Sequence, residues 1–123
     1  MYKASTTVIK RVNMVRPAAH AASFSGASTS TADWTSNKIE INCGAITDGV
    51  HTPTLYDAPD GATWTAVSAA NMVGAFVPLV ANSDQQVSYI GAQPYVQVQF
   101  VVAGATDGGI YGAGAEVTYR LQD

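Results

Sequence analysis

Residues 95–102 read YVQVQFVV. Val96, Val98, Phe100 and Val102 alternate with Gln97 and Gln99, so one face of the segment is dry and the other wet. A period of two marks a half-buried β-strand, and a strand dry on one side only belongs to an antiparallel sheet packed on one face. The pattern recurs along the chain. In residues 38–43, KIEINC, the side chains of Ile39, Ile41 and Cys43 share a face. In residues 115–121, AEVTYRL, Ala115, Val117, Tyr119 and Leu121 point in, while Glu116, Thr118 and Arg120 point out. Weaker strands fit residues 6–12, 52–57, 63–67, 75–80 and 86–90.

The connections have turn chemistry. Ala58-Pro59-Asp60-Gly61 suits a hairpin loop, because Pro presets φ and Gly follows Asp. Thr47-Asp48-Gly49 and Thr106-Asp107-Gly108-Gly109 are further tight turns. Ser68 to Gly74 fits one short helical turn, capped by Ser68 and stopped by Gly74. About eight strands with close turns predict an all-β, antiparallel β-sandwich, jelly-roll-like, in one domain. Residues 17–36, PAAHAASFSGASTSTADWTS, break the pattern. Their Ala/Ser/Thr composition predicts an extended N-terminal arm and linker over 1–36, ahead of a sandwich at 37–123. Residues 6–12 are then a strand added from outside the sandwich.

Charged residues are only 12% of the 123-residue chain, about half the usual share. Lys3, Lys10, Arg11 and Arg16 give residues 1–16 a charge of +4, and the remaining two cations stand against nine acids, for a net −3. The basic segment predicts docking on an acidic protein surface. Nucleic acid is not expected as a partner, because no basic cluster is interleaved with aromatics. A single cysteine, Cys43, allows no internal disulfide. The first residues lack the apolar core of a signal peptide and no run has the length of a membrane span, which predicts assembly in the cytoplasm without membrane contact.

Catalytic chemistry is thin. His20 lies in the low-complexity segment and His51 beside a turn; Cys43 falls on a dry face, and a Cys43–His51 pair has no orienting acid at a diagnostic spacing. Asp48, Asp57, Asp60, Asp84 and Asp107 lie in or near turns, without the spacing of a calcium loop. The glycines of GATDGGIYGAG (104–114) lack the helix and the Lys-Ser/Thr of a nucleotide site and predict a bent hairpin whose second strand starts near Tyr111. No enzyme activity, metal or cofactor is expected. Trp64 and Tyr119 are assigned to the core by alternation. Tyr56 and Tyr95 are out of phase with their strands' dry faces and are the better surface candidates, for protein or for sugar.

The runs GAITDGVHTPTLYDAPDGATWTAV (44–67) and SYIGAQPYVQVQFVVAG (88–104) resemble a family of small tailed-phage structural proteins encoded near the major capsid protein. In that family an apolar strand leads into T-D-G-x-H-T, then a hairpin with D-G-x-x-W, then Y-I-G and Y-V-x-V. The match, taken over residues 44–102, covers about half of the chain, and its residues are turn and core residues. The resemblance implies a virion protein. Size, sparse chemistry and the basic arm extend this to a capsid cement or decoration protein on the outer surface of the particle. Its partner would be the major capsid protein, and it would assemble as a homo-oligomer, with a trimer favoured. Lys3, Lys10, Arg11, Arg16, Tyr56 and Tyr95 are the candidate contact residues. The rival readings are a neck, tail or fibre protein and a carbohydrate-binding module.

Overall fold

The computed structural model describes residues 7–31 and 36–120. The strands in chain order are β1 (Thr7–His20), β2 (Phe24–Ser25), β3 (Thr29–Ser30), β4 (Ser36–Ile46), β5 (Val50–Ala58), β6 (Thr65–Ala66), β7 (Met72–Val73), β8 (Ser83–Tyr89), β9 (Tyr95–Ala103) and β10 (Gly109–Arg120). They form two antiparallel sheets, ordered β1-β10-β4-β8-β7 and β2-β9-β5-β6, with β3 also paired to β9. The fold is an all-β sandwich. Its core is built from the alternating residues: Ile39, Ile41, Val87, Ala115 and Val117 from the first sheet, and Leu55, Val96, Val98 and Phe100 from the second, all buried.

The described residues among the first 36 differ from the expected arm. They lie in the sandwich. β1 pairs with β10 from Thr7↔Arg120 to His20↔Gly109 and forms the edge of the first sheet. Its register shifts between Asn13 and Val15 and again between Val15 and Ala18. Met14 and Val15 are consecutive yet both buried, which a regular strand forbids and a bulge permits. Pro17 falls in the second irregularity, where no ladder N–H is required.

Beyond β1 the low-complexity stretch crosses to the other sheet. Phe24 pairs with Phe100 and Thr29 with Val96. Gly26 N–H donates to the Val98 carbonyl at 2.8 Å and Ala27 N–H to the Met14 carbonyl at 2.8 Å. The segment therefore closes one side of the sandwich. A Cβ on Gly26 would lie 2.9 Å from Val15 Cγ2, so this wall admits only glycine without rearrangement.

Residues 75–80, expected as a strand, are instead a strap over the other side. Leu79 plugs the core, and its N–H donates to the His51 carbonyl at 2.9 Å. The Gln85 side-chain amide donates to the Val77 carbonyl and accepts from Val77 N–H, both at 2.9 Å, standing in for a neighbouring strand. The helical turn appears as a 3₁₀ turn over Ala69–Asn71; Ser68 is its N-cap residue but its hydroxyl makes no capping bond. The expected strand over 63–67 shortens to two residues. Trp64 is half-buried, three residues before the buried Val67 and hence out of phase with it. The side chains of Tyr119 and Leu121 lie outside what is described.

The turns are cross-braced. The Asp48 carboxylate accepts from the amides of Thr106, Asp107 and Gly108, the last at 2.7 Å, which locks one TDG turn onto the other. These amides hold Asp48 below the usual carboxylate range. Asp60 accepts from Ala62 and Thr63 amides at 2.9 and 2.7 Å and is held down to about 2 by them. Gly108 has φ +78°, and an added Cβ would run into the His20 carbonyl, so glycine is required where the turn meets the end of β1.

Candidate interaction surface

Two tyrosines cross the core from the first sheet to the ends of β5. At one end, Tyr111 Oη lies 2.9 Å from Nδ1 of the fully buried His51, whose Nε2 lies 3.0 Å from the Asp48 carbonyl. The carbonyl can only accept, so Nε2 carries a hydrogen, and in the neutral ring Nδ1 accepts from the Tyr111 hydroxyl. At the other end, Tyr89 Oη donates to Asp57 Oδ2 at 2.8 Å and accepts from Gln93 N–H at 3.0 Å. Burial pushes both tyrosines up to about 12. Alternation from Leu55 would have placed Asp57 indoors, a signal that its position next to a turn obscured.

With both ring nitrogens engaged, His51 does not form a pair with Cys43, which is buried with its thiol pushed up by desolvation. Among the described residues, no three His, Cys, Asp or Glu side chains are grouped to hold a metal, and no helix is long and apolar enough to cross a membrane.

His20 adds a pH-sensitive contact. Its ring stacks on Phe24 with centroids 4.2 Å apart, and Nε2 donates to the Tyr111 carbonyl at 3.2 Å. Desolvation lowers its pKa; the Tyr111 carbonyl opposes this, and the nearby His51 adds to it. Folded His20 thus binds protons more weakly than the unfolded chain does. Its stabilisation is complete above the ordinary histidine range and is lost as pH falls through the folded-state value. The melting temperature should therefore drop as pH is lowered from neutral towards 5, and His20→Gln should flatten that drop. An identical pH profile in the variant would remove His20 as its source.

The outer faces of the two sheets differ sharply. On the first, Arg11 lies 3.7 Å from Glu40 and 3.9 Å from Glu116, and Lys38 lies 3.8 Å from Glu116. Arg11 is thus committed to its own sheet. Such exposed pairs contribute ~0–1 kcal/mol each. Lys10 and Arg16 are exposed on β1, Arg16 at its bulge. Lys3 lies outside the described residues.

On the second sheet, the outward residues of β5 and β9 include Val50, Thr52, Thr54, Tyr56, Tyr95, Gln97, Gln99, Val101 and Ala103, none of them charged. Tyr56 stands opposite Gln97 and Tyr95 opposite Ala58, so the two tyrosines are diagonal neighbours, both half-buried. Gln99 Nε2 donates to Gln97 Oε1 at 3.1 Å, and Gln97 Nε2 to the Gly26 carbonyl at 2.9 Å, which fixes the glutamines. Val50 and Val101 are exposed at 56% and 60%, large values for aliphatic side chains facing water. The structure thus brings Tyr56 and Tyr95 together on a firm, uncharged face and leaves Lys10, Arg11 and Arg16 on the other sheet.

The molecule belongs to the class of two-sheet antiparallel β-sandwiches. No protein-family model matches the chain. No curated protein matches it. Solved structures do share the fold. One, from the Bacillus endospore appendages described as a novel family of disulfide-linked pili, superposes with a TM-score of 0.55 at 16% identity, over 98% of this chain and 93% of its own. Another, from infectious bursal disease virus Gx strain, gives a TM-score of 0.52 at 15% identity over 93% of this chain. The chain spans 33% of that viral chain's length. The likeness is one of fold.

Proposed function

We propose that this chain is a non-enzymatic structural protein of a tailed-phage virion, a cement or decoration subunit on the outer capsid surface. The observation that carries the reading is the uncharged outer face of the second sheet. An interface that must hold permanently loses little by lacking charge, because apolar and amide groups cost less to desolvate than ions. Thr52, Thr54, Gln97 and Gln99, with Tyr56 and Tyr95 beside them, form the contact with the major capsid protein. Copies of the chain, as a homo-oligomer with a trimer favoured, would engage several capsid subunits at once, and weak contacts repeated in this way add to high avidity. The occurrence of the same fold in a pilus protein and a viral protein supports a role in assembly, as do the phage-like runs at 44–67 and 88–104. A pilus linked by disulfides fits less well, since Cys43 is the sole cysteine and is buried.

Electron microscopy of the particle carrying this protein tests the proposal. Density for the sandwich on the capsid shell, its uncharged face inward, is the expected result. Density confined to a ring at the neck or along the tail would reject the capsid role. Glycan binding by the isolated monomer through Tyr56 and Tyr95 would favour a carbohydrate-binding module instead.

A further inference from the structure

We propose that the end of the sandwich around Asp57 is a receptor site for a guanidinium side chain of another protein chain. Asp57 is 9% exposed and is one of the residues lining an open cleft of about 390 Å³. The rest of the lining is mixed: Thr65, Ser68, Asn71 and Gln93 are polar, and Pro59, Ala66, Val67 and Ala92 are apolar. A buried carboxylate is stabilised by hydrogen bonds or by a counter-charge. One hydrogen bond comes from Tyr89. No Lys or Arg among the described residues lies within ion-pair distance of it; the ion pairs of Arg11 and Lys38 go to Glu40 and Glu116.

Unsatisfied polar groups lie at the same end of the core. Asn37 stands beside Tyr89 in the first sheet, and Thr29 beside Val96, which itself stands beside Asp57 in the second. Asn37 and Thr29 are 3% and 6% exposed, and Asn37 Oδ1, Asn37 Nδ2 and Thr29 Oγ1 are buried without a hydrogen-bond partner among the described residues. Groups left in that state destabilise a fold.

The chemistry on offer selects the ligand. The cleft carries one charge, the Asp57 carboxylate, among the hydroxyls of Thr65 and Ser68 and the side-chain amides of Asn71 and Gln93. No aromatic side chain lines the cleft to stack a sugar ring. A guanidinium carries five N–H donors in a planar fork and pairs with a carboxylate through two parallel bonds. Arg16 is an available source in a second copy of the chain. It is exposed at the β1 bulge, makes no ion pair among the described residues, and lies nearer the opposite end of the sandwich from Asp57. Its reach would therefore be to a neighbour, in a head-to-tail contact. The other source is an arginine of a different protein in the same assembly.

The test is a titration of the full chain with N-acetylarginine methylamide, followed by amide chemical shifts. The uncharged citrulline analogue serves as the control. Saturable shifts at Asn71 and Gln93 are expected with the arginine compound alone. Asp57→Asn keeps an acceptor for Tyr89 and should abolish them. Ala92→Trp, at an exposed residue on the cleft, should block them without touching the carboxylate. Equal shifts with the citrulline compound, or undiminished binding by Asp57→Asn, would overturn the proposal, as would the absence of any saturable shift. Sedimentation of the chain and of Arg16→Gln then identifies the source. Lost self-association assigns it to a second copy, and unchanged self-association with probe binding retained assigns it to another protein.

Discussion

A chain lacking residues 1–16 should fail to fold. The deletion removes Thr7 to Arg16 of β1, and with them Met14 and Val15, both buried in the core. Truncating one large buried aliphatic side chain costs ~2–5 kcal/mol, and two of them approach the ~5–15 kcal/mol that a domain has in total. The loss goes further, because β10 would become an unpaired edge and the Gly26–Ala27 wall would lose the Met14 carbonyl that anchors it. Unpaired edges invite aggregation, so the truncated protein should be insoluble or show no cooperative melting. A cooperative transition near that of the full chain would mean that β1 is dispensable, and that residues 1–16 are a detachable arm after all.

Val98→Asp should be equally severe. Val98 is fully buried at the centre of β9, between β5 and the closing segment at Gly26. A carboxylate there would have no cation partner in the apolar core around it and would cost several kcal/mol even after taking up a proton. The neighbouring Phe100→Ala is the milder form of the same experiment. Phe100 stacks on Phe24 at 4.9 Å and contacts the Tyr111 ring at 5.2 Å, and emptying its site should cost ~3–5 kcal/mol. Circular dichroism and thermal melting read both. An unaltered transition for either variant would put this face of β9 in solvent.

The fold was legible where one face of a strand is wet and the other dry. Ile39, Ile41 and Cys43, then Val96, Val98 and Phe100, are buried as their alternation requires. The hairpin at Pro59-Asp60-Gly61 was legible for a different reason, since Asp60 and Gly61 make the turn with their own chemistry. β1 was harder to read because its bulges break the period: two buried residues in succession do not look like a strand. β2 and β3 carry no pattern of their own. They are held by β9 and by main-chain bonds from Gly26 and Ala27, a tertiary effect with no local signal. Residues 75–80 are apolar enough to suggest a strand, but only Leu79 is buried, Phe76 packs partly against the core, and the Gln85 side chain takes the place of a ladder.

Of the candidate contact residues, Tyr56 and Tyr95 were found by being out of phase with the core, and register then places them on one face. The charge segregation between the two outer faces was hidden, because it depends on which strands share a sheet. Arg11 looked like a free cation in the sequence and is paired with Glu40 and Glu116, acids far along the chain that the sheet order brings beside it. That shifts the weight of the proposed attachment from the basic segment to the uncharged face. Attachment through such a face should withstand salt, since screening weakens contacts between exposed charges and leaves uncharged ones nearly untouched.

Thr54 and Gln99 stand directly opposite each other on that face, both half-buried. The most direct measurement is co-sedimentation of the protein with capsids, comparing the natural chain with the double variant Thr54→Lys, Gln99→Lys at low and at high salt. The natural chain should pellet with the capsids at both salt concentrations. The variant, folded by circular dichroism, should stay in the supernatant, because two ammonium groups cannot be desolvated against an interface that offers them no partners. Undiminished pelleting of the variant, or release of the natural chain by salt, would contradict attachment through the uncharged face.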